Sequence, residues 1–205
     1  MLYEECYKRN IGLFTEAEQN KLKEAKIVVA GVGGVGGIEV ATLAKMGVCN
    51  FVIFDPGEFD PPDMNRQLAA TVSNMEKNKA LATKQMLLEI NPFAKVEALS
   101  YAPDSDEELD DLLKNATIAI DAIDYIGFDY KVRFAQAVRR AGIYNFTAPI
   151  VGMTTSVFIF DPKGMTLEEF YLASKDKKEW NAYKIPLDKV MYQGSATHLT
   201  QDFGR

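Results

Sequence analysis

Lys26-Ile-Val-Val-Ala-Gly31-Val-Gly33-Gly34-Val-Gly36-Gly37 is the stretch from which the fold can be read. Lys26 to Ala30 is short, apolar and β-branched without alternation, the pattern of a strand covered on both faces and therefore central in a parallel sheet. Gly31, Gly33 and Gly36 stand at Gly-x-Gly-x-x-Gly spacing and open a helical stretch that ends near Met46. Asn50 to Phe54 follows as a second apolar strand and completes a βαβ unit. Glycine lets the backbone turn sharply and approach a phosphate, while the helix N-terminus offers free N–H groups and partial positive charge. Gly34, inside the same turn, belongs to that cradle. Asp55 ends the second strand, 24 residues after Gly31, where an acid can accept hydrogen bonds from ribose hydroxyls. The expected ligand of this half is a mono- or dinucleotide.

Strand and helix keep alternating on either side. Thr15-Glu-Ala-Glu18 fits a capping box and opens a short helix to about Glu24. Asn78 to Ile90 reads as a helix stopped by Asn91-Pro92, followed by a strand at Lys95 to Leu99 and an acidic helix from Ser105 to Leu113. Thr117 to Ala122 is a fourth strand, Gly127 to Ala141 a helix, Ile143 to Phe146 a fifth strand and Thr154 to Phe160 a sixth with alternating apolar character. Thr166 and Glu169 form a second capping box, whose helix is expected to reach about Ser174. Lys175 to Glu179 reads as a solvated charge run, and Asn181 to Arg205 has no clear period. The pattern predicts an α/β fold: a doubly wound, mostly parallel Rossmann-like sheet with an N-terminal helical arm and an irregular C-terminal extension. Residues 1–205 read as a single domain, and a tail without a terminating element suits a C-terminally truncated chain.

Composition narrows the function classes. The 205 residues are 47% hydrophobic and 25% charged with a net charge of −6, an ordinary globular balance that argues against a nucleic-acid-binding surface. Two cysteines cannot build a disulfide framework. The uncharged stretch Ile27 to Ile38 falls far short of the roughly 20 apolar residues that span a bilayer. The first ten residues mix acids and bases without an apolar core, so no signal peptide is read and a cytoplasmic location is expected.

The segment after Asp55 carries further chemistry. Asp55-Pro-Gly-Glu-Phe-Asp60-Pro-Pro-Asp63-Met-Asn65-Arg66-Gln67 is a polar, turn-rich loop, and Lys79 follows on the next helix. Arg66 can fork onto phosphate oxygens and Lys79 can act as a mobile point charge. Two cations beside a glycine turn suit a triphosphate better than a pyrophosphate bridge.

Gly31 to Gly36, Asp55, Asn65-Arg66-Gln67, Lys79 and the Asp121-Ala-Ile-Asp124 box resemble, in order and spacing, the ThiF/MoeB/HesA family, the adenylating relatives of ubiquitin-activating enzymes. Tyr7-Lys-Arg9-Asn10, ahead of a helix with Glu18 and Gln19, is similar to that family's N-terminal arm. The resemblance extends to about Phe160. It implies ATP- and Mg²⁺-dependent adenylation of a carboxylate, most typically the C-terminal glycine of a ubiquitin-like sulfur-carrier protein, with release of pyrophosphate, by a homodimer whose arms cross. Carried over position by position, Asp55 would hold the ribose, Arg66 and Lys79 the phosphates and Asp124 the magnesium ion. Arg9 would reach the nucleotide of the partner subunit. Relatives of the family also activate a small peptide or a modified tRNA base.

This chain departs from the family pattern in places. Pro62-Asp63-Met64 stands where the family commonly has Ser-Asn-Leu, so a carboxylate replaces an amide beside the phosphates; Tyr125 follows Asp124 where Asn is usual. Only Cys6 and Cys49 are present, so the family's two Cys-x-x-Cys zinc pairs are absent. Cys49 reads as packing, Cys6 has no activating neighbour in sequence, and no thioester or persulfide step is expected on this chain. His198, the single histidine, is expected at the surface or facing a partner. Two other classes stay open. The glycine turn and Asp55 alone would suit an NAD(P)-dependent oxidoreductase, and Asp63 would suit a non-catalytic nucleotide-binding module.

Overall fold

The computed structural model describes residues 1–151, 153–173 and 179–180. His198, the tail from Asn181 and most of the charge run lie outside the described residues. In chain order the elements are α1 (Tyr3–Tyr7), α2 (Glu16–Glu24), β1 (Lys26–Ala30), α3 (Gly36–Met46), β2 (Asn50–Phe54), α4 (Lys79–Ile90), β3 (Lys95–Leu99) and α5 (Asp106–Leu113). Then come β4 (Ile118–Asp121), α6 (Phe128–Arg140), β5 (Tyr144–Thr147), β6 (Ile150–Val151), β7 (Thr154–Thr155), β8 (Phe158–Phe160) and α7 (Leu167–Phe170). The six-stranded sheet has the order β3-β2-β1-β4-β5-β8, parallel throughout except where β8 runs antiparallel to β5.

The unalternating apolar strands have the cause the sequence suggests. Successive residues of β1 point to opposite faces, and both faces are covered. Ile27 and Val29 pack with Val40, Phe51, Ile53 and Leu87 under α3 and α4, whereas Val28 and Ala30 pack with Phe54, Leu109, Phe134 and Val138 under α5 and α6. The capping boxes form as read: Thr15 Oγ1 accepts the Glu18 N–H at 3.2 Å and Glu18 Oε2 accepts the Thr15 N–H at 2.8 Å.

Two expectations need correction. Thr154 to Phe160 is not one strand: Ser156 N–H and the Thr155 hydroxyl both turn back to the Pro149 carbonyl, so Thr154–Thr155 pairs with β6 in a separate hairpin and only Phe158–Phe160 joins the sheet. The helix after Thr166 stops at Phe170 rather than near Ser174 because Leu172 takes a left-handed φ of 57°, and its N–H closes back on the Glu169 carbonyl.

The N-terminal arm is anchored to the C-terminal end of α3, whose last carbonyls have no partners within the helix. Tyr3 Oη donates to Gly47 O at 2.7 Å, Tyr7 Oη to Ala44 O at 3.2 Å and Asn10 Nδ2 to Met46 O at 3.1 Å. Gln19 of α2 joins them, donating to both Met46 O and Tyr3 Oη.

On the first turn of α3, Glu39 keeps one buried carboxylate oxygen without a hydrogen bond. Burial, reinforced by the nearby Asp121 charge, raises its pKa above the ordinary glutamate value. The folded state therefore holds the proton more tightly than the unfolded one, and stability falls as pH rises through the raised value. Glu39→Gln is expected to be more stable than the wild type in urea unfolding at pH 7, and the two chains converge once the pH drops below the ordinary glutamate range.

Candidate functional site

A cleft of about 780 Å³ opens outside the carboxyl ends of the strands. It straddles β1 and β4, the point from which the chain winds outward in both directions and where ligands enter open α/β sheets. Its floor includes the glycine turn after β1. Gly31 takes a φ of +88°, and a Cβ there would lie 2.7 Å from the Ala122 carbonyl beyond β4. A Cβ on Gly36 would lie 2.0 Å from the Gly31 carbonyl. These two positions demand glycine, since any side chain would part the turn from its neighbours.

The cleft gathers Gly31, Gly33, Gly34, Asp55, Arg66, Gln67, Lys79 and Asp124. Three other sequence candidates lie elsewhere. Gly36 is buried beneath the turn and makes its close packing possible. Asn65 stands off the cleft, and its Oδ1 accepts from Arg66 Nη1 at 3.0 Å, so it orients the arginine. Arg9 is exposed in the turn after α1, beside Asn10 and the far end of α3. The 11 residues of α3, about 16 Å of helix, separate it from the glycine turn of its own chain.

Each cleft side chain has an identifiable support. Asp55 accepts the Val32 N–H at 2.9 Å and the Gly57 N–H at 2.8 Å, which fixes the carboxylate at the end of β2 while leaving lone pairs for a further donor. Lys79 is the first residue of α4, and its Nζ lies 3.0 Å from Asp63 Oδ2. Arg66 runs its stem along Gly34, where a Cβ would approach the Arg66 Cγ to 3.3 Å. Asp124 precedes a short 3₁₀ turn, yet its side chain makes no capping hydrogen bond and no ion pair among the described residues. The carboxylate is thus not consumed by the helix that follows.

Sequence reading missed the support beneath the cleft. Lys131, 1% exposed, donates from Nζ to Asp121 Oδ1 at 2.8 Å, to the Ile123 carbonyl at 3.1 Å and to Thr147 Oγ1 at 3.4 Å. It ties the ends of β4 and β5 together at the edge of the cleft that Asp124 also lines. The available signal was a lysine between Phe128 and Phe134 on the apolar face of a helix, where a cation requires a buried partner.

The described residues also bear on cysteine and metal chemistry. Cys49 is buried and Cys6 exposed, and burial pushes the Cys49 thiol above its ordinary pKa, the opposite of an activated thiolate. Among the described residues no three His, Cys, Asp or Glu side chains cluster as a metal site.

A family model described as the ThiF family matches residues 7–189. The chain belongs to the ThiF family. Among its curated relatives, the vegetative HesA protein of Trichormus variabilis is 35% identical over 127 residues, covering 60% of this chain and 47% of that protein. The ThiS adenylyltransferase of Escherichia coli is 24% identical over 144 residues, covering 70% of this chain and 56% of that protein. The tRNA threonylcarbamoyladenosine dehydratase of Bacillus subtilis is 35% identical over 107 residues, covering 51% of this chain and 41% of that protein. The chain spans about half the length of the curated relatives it matches. The solved structure of PaaA superposes with a TM-score of 0.70 at 23% identity, covering 81% of this chain and 54% of that one, which bears on the fold alone.

Within this ThiF-family chain the Lys131–Asp121 pair is the most buried ion pair among the described residues. Lys131→Met strands the Asp121 carboxylate in the interior and is expected to lower the unfolding free energy by about 3–5 kcal/mol. Adding Asp121→Asn to that variant recovers the greater part of the loss. Urea unfolding of the single and double variants measures both.

Proposed function

We propose that the cleft binds ATP with Mg²⁺ and adenylates a carboxylate, and that the C-terminal glycine of a ubiquitin-like sulfur-carrier protein is the leading substrate. The observation that carries this reading is the convergence on one cleft of the glycine turn, Asp55, Arg66, Lys79 and an Asp124 carboxylate that has no ion pair among the described residues. A hydride-transfer enzyme gives Arg66, Lys79 and Asp124 no shared task. Relatives named as adenylyltransferases of sulfur carriers, in Escherichia coli and in Thermus thermophilus, favour the same chemistry.

The residues present fit both groups. A phosphate chain laid along the turn meets the backbone at Gly33 and Gly34, and at Gly34 a Cβ would crowd against the Arg66 stem. Buried Gln67 Oε1 has no hydrogen-bond partner, so a polar ligand with a donor would satisfy it. Asp124 supplies one carboxylate, which suits a cation that takes most of its ligands from phosphate oxygens and water. Bound Mg²⁺ would neutralise charge on the phosphates.

In this reading Asp55 accepts the ribose hydroxyls, and Arg66 and Lys79 hold the β- and γ-phosphates in line. The substrate carboxylate oxygen forms a bond to the α-phosphorus, the bond from that phosphorus to the bridging oxygen breaks, and pyrophosphate leaves with the electron pair. The protein's task in such a displacement is positioning and charge neutralisation, for which these residues suffice. The nucleophile that then takes the acyl group comes from another molecule. Arg9 lies far from the cleft of its own chain, so we assign it to the cleft of a second copy in a homodimer.

A second reading uses the same chemistry on a different carboxylate. The Bacillus subtilis relative is named for threonylcarbamoyladenosine in tRNA, so the carboxylate of a modified base is the competing substrate.

ATP–pyrophosphate exchange, measured with a carrier protein and with modified tRNA in parallel, tests the assignment. Lys79→Ala and Asp124→Ala are each expected to lose exchange by about 100-fold or more; Asp124→Ala melts as the wild type does, and Lys79→Ala, which removes one partner of Asp63, keeps the fold with a lowered melting temperature. Unchanged exchange in both variants overturns the site assignment, and binding of NAD⁺ in place of ATP in calorimetry overturns the reaction class.

A further inference from the structure

Two of the cations that line the cleft, Arg66 and Lys79, are already engaged by an anion that belongs to the chain. Asp63 is buried, 8% exposed, and all of its side-chain partners meet on one carboxylate. Oδ2 lies 3.0 Å from Lys79 Nζ and accepts the Asp60 N–H at 3.1 Å. Oδ1 lies 3.6 Å from Arg66 Nη2 and accepts from Gln67 Nε2. The carboxylate stays ionised: burial opposes the charge, but the Asp60 N–H, Lys79 and Arg66 outweigh it and hold its pKa below the ordinary aspartate value.

The placement of Lys79 explains why an anion is needed. A helix N-terminus carries partial positive charge, so a lysine as the first residue of α4 is repelled by its own helix. Asp63 compensates that repulsion. Arg66, Lys79 and Asp63 taken together carry a net charge of +1, where a neutral side chain at position 63 would leave +2.

A phosphate chain that reaches Arg66 and Lys79 must therefore approach a buried carboxylate of its own sign. Like charges repel far more strongly in a partly desolvated cleft than in water. A divalent cation on the phosphates cancels two of their charges before contact, and Asp124, which lines the same cleft and has no ion pair among the described residues, could receive that cation. We infer that Asp63 determines specificity: it makes the cradle reject uncomplexed polyphosphate and admit the nucleotide as its divalent-metal complex. Selectivity of this kind comes from a built-in repulsive element rather than from an added attraction. The inference rests on the reading of the cleft as an ATP site.

Calorimetry on the full chain tests it, with wild type, Asp63→Asn and Asp63→Ser titrated with inorganic tripolyphosphate plus chelator, ATP with and without excess Mg²⁺, and adenosine. The wild type is expected to bind ATP at least about tenfold more tightly with Mg²⁺ than without it. Both neutral variants are expected to bind metal-free tripolyphosphate at least about tenfold more tightly than the wild type, with less than about a threefold change for Mg²⁺–ATP and none for adenosine. A loosened loop would move all of these ligands together, which separates a charge effect from a structural one. Equal binding of ATP with and without Mg²⁺ by the wild type, a measurement that needs no variant, overturns the inference. So does a uniform shift across ligands in the variants. If adenosine and Mg²⁺–ATP bind normally and the metal-free ligand is indifferent to the substitutions, only the role of Asp63 falls. If no adenine compound binds any of the proteins, the ATP reading falls and takes this inference with it.

Discussion

The approach of the Gly31–Gly36 turn to the end of β4 is the constraint on which the rest of the molecule depends. With no side chain at Gly31 the turn lies against the Ala122 carbonyl, and with none at Gly36 the start of α3 closes onto the Gly31 carbonyl. That closeness sets the width of the cleft. It brings the glycine turn after β1 beside the acid-bearing loop after β4, two segments far apart in sequence and adjacent in the sheet. A methyl group at either glycine would push the halves apart before any ligand arrived.

Much of this was legible because the fold-determining signals are local. Strands buried on both faces read as solid apolar runs, and capping boxes announce helix starts within four residues, so β1, β2, β4 and α2 lie where the sequence implies. The glycine turn, Asp55, Arg66, Lys79 and Asp124 were equally visible because each sits in a short motif of fixed spacing. What escaped was relational. Lys131 gains its meaning from Asp121 and Thr147 on two neighbouring strands, and Asp63 from Arg66, Gln67 and Lys79 around it. No periodicity reports such pairings, because they depend on which side chains the topology brings together. The break between β7 and β8 escaped for the opposite reason: a purely local turn back to the Pro149 carbonyl overrode a persuasive alternation.

The two buried aspartates illustrate different uses of one side chain. Asp121 is matched by a single buried lysine, an arrangement that ties the ends of β4 and β5 together. Asp63 sits nearer the surface, beside an arginine that is 58% exposed and a lysine that is 17% exposed on the side-chain measure. Its partners can change allegiance when another anion enters. Burial separates the structural ion pair from the adjustable one, although the chemical groups are the same.

The strand order also bears on how the chain reaches this state. Beside residue 27 in the sheet lie residue 51 on one flank and residue 118 on the other. The half of the cleft from β1 through Lys79 draws on one contiguous stretch whose contacts close short loops. The half carrying Asp124 is joined only after some ninety intervening residues have been gathered, a closure that is entropically dearer and slower. The site thus joins contacts of unequal reach: the wall bearing Arg66 and Lys79 rests on pairings close in sequence, and the wall bearing Asp124 on pairings far apart.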